Sequence, residues 1–198
     1  MMSRIFGFLA RPLVFGFSVA VLAVFMATIL PAKAADAASY TPAGAAFDTS
    51  FFYTPAQAIE KVGLYSPEAR SAYVYDRWTF DVAWPLVYGF FLLSGWAFGL
   101  ALLKPAGSKG KAGSLDASSR TRWLLVPALA VVFDFVENTA VTVLMLAYPA
   151  APLAVAAVAS AGTLIKWVFV MTGVSGALGL PLAGGIAVLY RRRGSGRA

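Results

Sequence analysis

Hydrophobic residues along this chain come in long unbroken blocks separated by short polar stretches. This is not the one-faced pattern of a surface helix or the alternation of a half-buried strand. Blocks of this kind predict helices that cross a membrane, since about 20 apolar residues are needed to span the hydrocarbon. The first block runs from Leu13 to Leu30, with Arg4 and Arg11 before it. It ends at Pro31-Ala32-Lys33-Ala34-Ala35-Asp36. Ala32-Lys33-Ala34 fits the small-x-small rule of a signal-peptidase site. An apolar core of 18 residues is long for a leader and just long enough to span. Residues 1–35 therefore fit two readings, a transmembrane helix or a signal peptide.

Residues 36–78 form a polar outer segment. Thr54-Pro55 reads as an N-cap and first helical position, with Gly63 as the stop. Ser66-Pro67-Glu68 repeats the start signal, and a helix from Pro67 could run straight into the next span. Tyr73, Tyr75, Trp78, Trp84 and Tyr88 cluster where a membrane boundary falls. Aromatic rings at that level serve as interfacial anchors, the reading preferred here over an aromatic ligand cage.

Residues 79–198 carry the remaining spans. The second runs from Thr79 to Leu103, with Pro85 inside it to kink it. A basic loop, 104–122, follows, holding Lys104, Lys109, Lys111, Arg120 and Arg122. The third span runs from Trp123 to Ala147 and reverses at Tyr148-Pro149-Ala150-Ala151-Pro152. The apolar stretch Leu153 to Tyr190 has 38 residues, too many for one simple span. Two spans would put Arg191, Arg192, Arg193 and Arg197 outside, against the positive-inside rule. One span with an irregular or extended half is expected, with a break near Gly173, Gly176, Gly179 and Pro181. The fold class is thus an all-α, polytopic transmembrane helical bundle of four spans, three if the first is cleaved. Segments 1–11, 104–122 and 191–198 carry eleven Lys and Arg against four in residues 32–78. That asymmetry places both ends, including the C-terminus, in the cytoplasm of a cell with this protein in its inner membrane.

Composition narrows the function. Charged residues make up 13% and hydrophobic ones 60%, too few polar residues to clothe a soluble domain. The net charge of +7 sits in short loops beside apolar blocks, with no basic helix or aromatic platform for nucleic acid. Cys and His are absent. This removes disulfides, thiolate and imidazole metal sites, Cys nucleophiles and Ser-His-Asp catalysis. No P-loop, metal-ligand cluster or nucleophile elbow is present. No cofactor, metal or catalytic residue is expected. The expected partners are the bilayer and either another membrane protein or a lipid head group.

The chemistry worth following is charge inside the apolar blocks. Asp134, Glu137 and Asn138 are spaced i, i+3, i+4 and share one helical face. A charge at the bilayer centre costs about 2.5–3.5 kcal/mol even on a lenient scale, so this face should point into protein. Lys166 lies fifteen residues past the reversal, and Asp134 and Glu137 lie sixteen and thirteen before it. Antiparallel helices then bring Lys166 to a depth between the two acids, within ~2–4 Å. Thr163 falls near the depth of Asn138. A Lys166 pair with Glu137 or Asp134 is predicted. Asp81 has Arg77 four residues before it, placed for a local pair, and Asp81, Trp84 and Tyr88 share a face. With Arg77 on Asp81, two acids still face one Lys, which implies a protonated acid or a held cation. Ala159, Gly162, Gly173, Gly176 and Gly179 permit close helix approach.

The function expected is a non-enzymatic accessory, assembly or binding protein with a buried polar cluster between helices. A proton- or cation-coupled transporter using the carboxylates and Lys166 is the alternative. A third is an enzyme using its acids for acid–base work on a lipid.

Overall fold

The computed structural model describes residues 2–47, 49–103 and 117–195. The chain is an all-α helical bundle with, among the described residues, four helices long and apolar enough to cross a membrane. These cover Pro12–Tyr40, Pro67–Leu102, Ser119–Ala147 and Leu153–Arg193, the last with 41 residues. At 1.5 Å per residue the shortest is about 44 Å and the longest about 62 Å, against a hydrocarbon core of about 30 Å. Much of the basic loop, residues 104–116, and Arg197 lie outside the described residues.

In chain order the helices are α1 (Met2–Leu9), α2 (Pro12–Val24), α3 (Leu30–Tyr40), α4 (Pro55–Leu64), α5 (Pro67–Arg77), α6 (Phe80–Leu102), α7 (Ala117–Trp123), α8 (Leu125–Ala147) and α9 (Leu153–Ser195). One π-turn, Phe25–Ile29, joins α2 to α3. The first apolar block therefore does not stop at Pro31. The wide turn already leaves the ordinary bonding pattern, and Pro31 sits at the start of α3, where its missing N–H is not needed. The Ala32-Lys33-Ala34 site lies inside that helix.

α4 begins as its sequence predicts. The Thr54 side chain caps the Gln57 N–H, and the Gln57 side chain returns to the Thr54 N–H. Ser66 caps α5 by accepting the Ala69 N–H, without a returning side-chain bond. α5 runs on into the second span as one helix, Pro67–Leu102, with a two-residue turn at Trp78 and Thr79 marking its join to α6. The expected break in the last stretch is absent. α9 is continuous through Pro181 and the glycines around it.

The chain divides into two compact units. The first takes Met1–Leu22, Tyr88–Ala128 and Phe169–Ala198. In it α6 and α9 approach backbone to backbone. A Cβ added to Gly99 would lie 2.5 Å from backbone atoms of Leu180 and Pro181, and one at Gly95 would lie 2.9 Å from Ala177. The Trp96 ring lies where a Gly176 side chain would be, and its Nε1 donates to the Gly173 carbonyl at 2.8 Å. Gly179, by contrast, faces open space and takes no part in this approach. The Ser18 and Ser94 hydroxyls meet at 2.7 Å, and Phe15 stacks on Phe98.

The second unit takes Ala23–Val87 and Leu129–Val168. Its core joins the outer segment to α8 and α9. Ala45, Phe47, Tyr53, Val62, Tyr65 and Tyr73 bury against Val141, Leu144, Met145, Ala156 and Ala159. Burial of side chains this large contributes about 1.5–3 kcal/mol each. The described part of residues 36–78 is thus a packed part of this unit rather than a loose loop.

Candidate functional site

The charged face of α8 lies in the second unit, flanked by α5, α9 and the segment before α4. Asp134 and Asn138 are buried, and Glu137 is fully so at 0% exposure. Lys166 comes off α9 at the depth its count from the reversal predicts. Its ammonium pairs closely with Glu137 Oε2 and stands 4.0 Å from Asp134 Oδ1.

The other oxygen of Glu137 is held as well. Thr163 Oγ1 lies 2.6 Å from Glu137 Oε1 and 2.8 Å from the Tyr53 hydroxyl. A Thr hydroxyl has one proton, so a consistent arrangement has Tyr53 donating to Thr163 and Thr163 donating to Glu137. Tyr53 is fixed from its backbone side too, where the Ser160 hydroxyl donates to its carbonyl. Ser160, Thr163 and Trp167 all hold the 50–53 segment, since Trp167 Nε1 donates to the Ser50 carbonyl at 3.1 Å. Lys61 reaches back over the same segment to the Ala46 carbonyl and Ser50 Oγ, at 2.6 and 2.8 Å.

Arg77 makes the second half of the site. Its Nη1 pairs with Asp81 Oδ2 at 2.8 Å and donates to Asn138 Oδ1 at 2.9 Å. Nη2 donates to the Tyr73 hydroxyl, and the guanidinium carbon lies 4.5 Å from the centre of the Tyr73 ring. The planar fork of Arg suits this three-way grip. Asn138 turns its amide nitrogen to the Asp81 carbonyl at 3.3 Å. That carbonyl would normally accept from residue 85, which is Pro85 and has no N–H. The proline inside α6 thus exposes an acceptor, and Asn138 occupies it.

Two cations, Arg77 and Lys166, face three carboxylates, Asp81, Asp134 and Glu137. The site has one formal negative charge more than it has positive. Its chemistry is that of buried ion pairs and hydrogen bonds. Among the described residues, no group of three or more acidic side chains is arranged to hold a metal ion.

The aromatic residues divide. Tyr73 is not an interfacial anchor, because Arg77 draws it into the core, where it meets Phe47 and Tyr65 edge-on. Tyr75 and Trp78 are exposed. Trp84 is half-buried, and Phe25 stacks on it at 5.6 Å. Tyr88 is buried and belongs to the first unit. Tyr53 and Ser160 were not legible as site residues. Ser160 left one signal, its Ser160-Thr163-Trp167 spacing on one face of α9, whereas Tyr53 lies outside any helix and left none.

Fold and site define the class, an all-α protein with, among the described residues, four membrane-length helices and a buried ionic cluster carried by three of them. Compared with family models, with curated proteins and with solved structures, the chain matches none.

Proposed function

We propose that this chain is a small, non-enzymatic accessory or binding protein of the inner membrane. Its buried cluster fastens the outer segment to α8 and α9 and so presents a shaped surface. The observation that carries this is the closure around Glu137. Its side chain has no exposure, one oxygen is paired to Lys166, and the other accepts from Thr163. A site that turns over a lipid or passes a solute needs access to its charged group, whereas a staple needs none. The cytoplasmic placement of both termini belongs to this reading, supported by the Lys and Arg bias.

Purified protein in liposomes is the direct test. The accessory role predicts no proton or solute flux under any imposed gradient, and a fixed partner that co-purifies. Flux that Glu137→Gln stops would overturn it.

The second reading, proton- or cation-linked transport, has its own support. The site carries a surplus carboxylate, and an unbroken polar run leads from Tyr53 through Thr163 and Glu137 to Lys166. Intramembrane ionisable groups commonly serve such relays.

A further inference from the structure

The acids of this chain are unevenly placed. Of nine, eight fall in the ranges of the second unit, and Asp116 lies outside the described residues. The described residues of the first unit therefore include no Asp or Glu, yet they hold Arg4, Arg11, Arg120, Arg122 and Arg191 to Arg193. Contacts within that unit bring these cations to one end. α2 and α6 run antiparallel, since Phe15 stacks on Phe98 and Ser18 meets Ser94, so the turn at Arg11 lies beside the end of α6. α9 runs parallel to α6, with Ala177 against Gly95 and Leu180 against Gly99. Arg191 reaches the Leu102 and Leu103 carbonyls at 3.5 and 3.4 Å. α7 packs on α1 and adds Arg120 and Arg122.

Arg120 differs from the rest in its setting. It is half-buried, and its guanidinium lies over the Phe6 ring of α1, 5.9 Å from the ring centre. Its Nε is buried and has no hydrogen-bond partner among the described residues. A guanidinium in that state is short of an acceptor. Partial burial also strips water from the cation, and the ring fixes its plane. An anion therefore meets it with less to displace and less to order. The positive-inside bias by itself asks only for charges in short loops. It does not ask for a guanidinium seated on an aromatic ring between two helices.

The surroundings of Arg120 favour a lipid as the source of that anion. α1 leads into the membrane-length helix Pro12–Tyr40, and α7 leads into the one at Ser119–Ala147. Ile5, Phe8 and Trp123 stand half-exposed on these short helices. Apolar rings mixed with arginines suit the boundary between head groups and acyl chains, where Trp also collects. A soluble anion would use the arginines and gain nothing from the apolar residues. We propose that the contact of α1 with α7 binds the head-group phosphate of an anionic membrane lipid. Arg120 is its main contact, and the other arginines strengthen the local attraction. The site lies in the first unit, so it goes beyond the accessory role and does not rest on it.

The test titrates lipid onto the delipidated full chain in detergent, read by native mass spectrometry. Phosphatidylglycerol is the probe, phosphatidylcholine the zwitterionic control, and inorganic phosphate the soluble competitor. Phosphatidylglycerol should bind more tightly than phosphatidylcholine, and inorganic phosphate should not displace it. Arg120→Gln should weaken binding about tenfold, with thermal unfolding unchanged. Arg120→Lys should restore only part of the loss, because an ammonium lacks the planar fork. Phe6→Leu keeps the apolar packing but removes the ring. It should weaken binding too, and it carries the test if Arg120→Gln fails to fold. Arg193→Gln removes an exposed charge on α9 and should leave binding nearly unchanged. Equal binding of the two lipids, or displacement by inorganic phosphate, overturns the proposal. So does a loss in Arg193→Gln equal to that in Arg120→Gln, which would mean diffuse attraction rather than a site. None of these outcomes bears on the accessory role, which flux and the co-purifying partner decide.

Discussion

Arg77 and Asn138, sixty-one residues apart, meet at 2.9 Å in the buried part of the second unit. The contact ties the end of α5 to the middle of α8. It works because each partner serves two others. Arg77 also holds Asp81 and Tyr73, and Asn138 also fills the carbonyl that Pro85 leaves open. Neither residue can be replaced without leaving a buried polar group short of a partner.

Arg77→Met should therefore destabilise strongly, by about 3–5 kcal/mol, because it strips the cation from a buried pair. Unfolding in detergent, followed by circular dichroism, measures this. Arg77→Lys should recover only part of the loss, since a single ammonium cannot reproduce the fork to Asp81, Asn138 and Tyr73 together. Equal stability of Lys and Arg at this position would show that charge alone matters there.

Glu137 and Lys166 give a sharper test of the staple. Lys166→Met leaves Glu137 buried against Asp134 without its cation and should cost about 3–5 kcal/mol. Adding Glu137→Gln and Asp134→Asn removes the stranded charges and should recover most of that loss. A thermodynamic cycle over Lys166→Met and Glu137→Gln should give a coupling of at least about 1 kcal/mol. Additive losses would mean that the two side chains do not depend on each other. Full stability in the triple variant, with no flux in liposomes from either protein, would be the signature of a structural cluster.

How far the sequence led can be traced through these residues. Asp134, Glu137 and Lys166 were legible because two antiparallel helices and a tight reversal convert residue count into depth. The Arg77 pair with Asp81 was legible as an i, i+4 spacing. The role of Asn138 was not, since it depends on which α6 carbonyl Pro85 leaves unpaired and on where α8 passes. Tyr53 was missed because its hydroxyl matters only once the 50–53 segment lies against Ser160, Thr163 and Trp167. Helix ends misled where proline was read as a stop. Pro31 begins α3 and Pro181 sits inside α9, each within a longer helix. Apolar periodicity cannot distinguish these cases when all sides of a helix are apolar.

Close packing in the first unit predicts an uneven response to glycine substitution. Gly99→Ala puts a methyl group 2.5 Å from the backbone at Leu180 and Pro181, which cannot rotate away. It should destabilise by about 1–3 kcal/mol through overpacking. Gly179→Ala meets nothing and should stabilise slightly, as alanine favours helix over glycine by about 1 kcal/mol. Paired thermal unfolding curves separate them, and equal curves would mean that α6 and α9 are not in contact at Gly99.

The N-terminal helix makes its own prediction, about whether it stays on the chain. Lys33 and Tyr40 on α3 both reach Asp76 on α5, at 3.0 and 2.8 Å, and Tyr40 also lies against the core of the second unit. Ala32-Lys33-Ala34 is helical at the same place, with Lys33 engaged in that contact. A peptidase site held in a helix and tied by its central residue is a poor substrate for cleavage. Intact-mass measurement of protein purified from membranes should accordingly find residues 1–34 present. Asp76→Asn keeps the shape but removes the charge that Lys33 pairs with, so it should loosen the segment and raise its hydrogen exchange. The ion pair is partly exposed, so the effect on global stability should stay within about 1 kcal/mol. A mature protein beginning at Ala35 would overturn the assignment and reduce the spans from four to three.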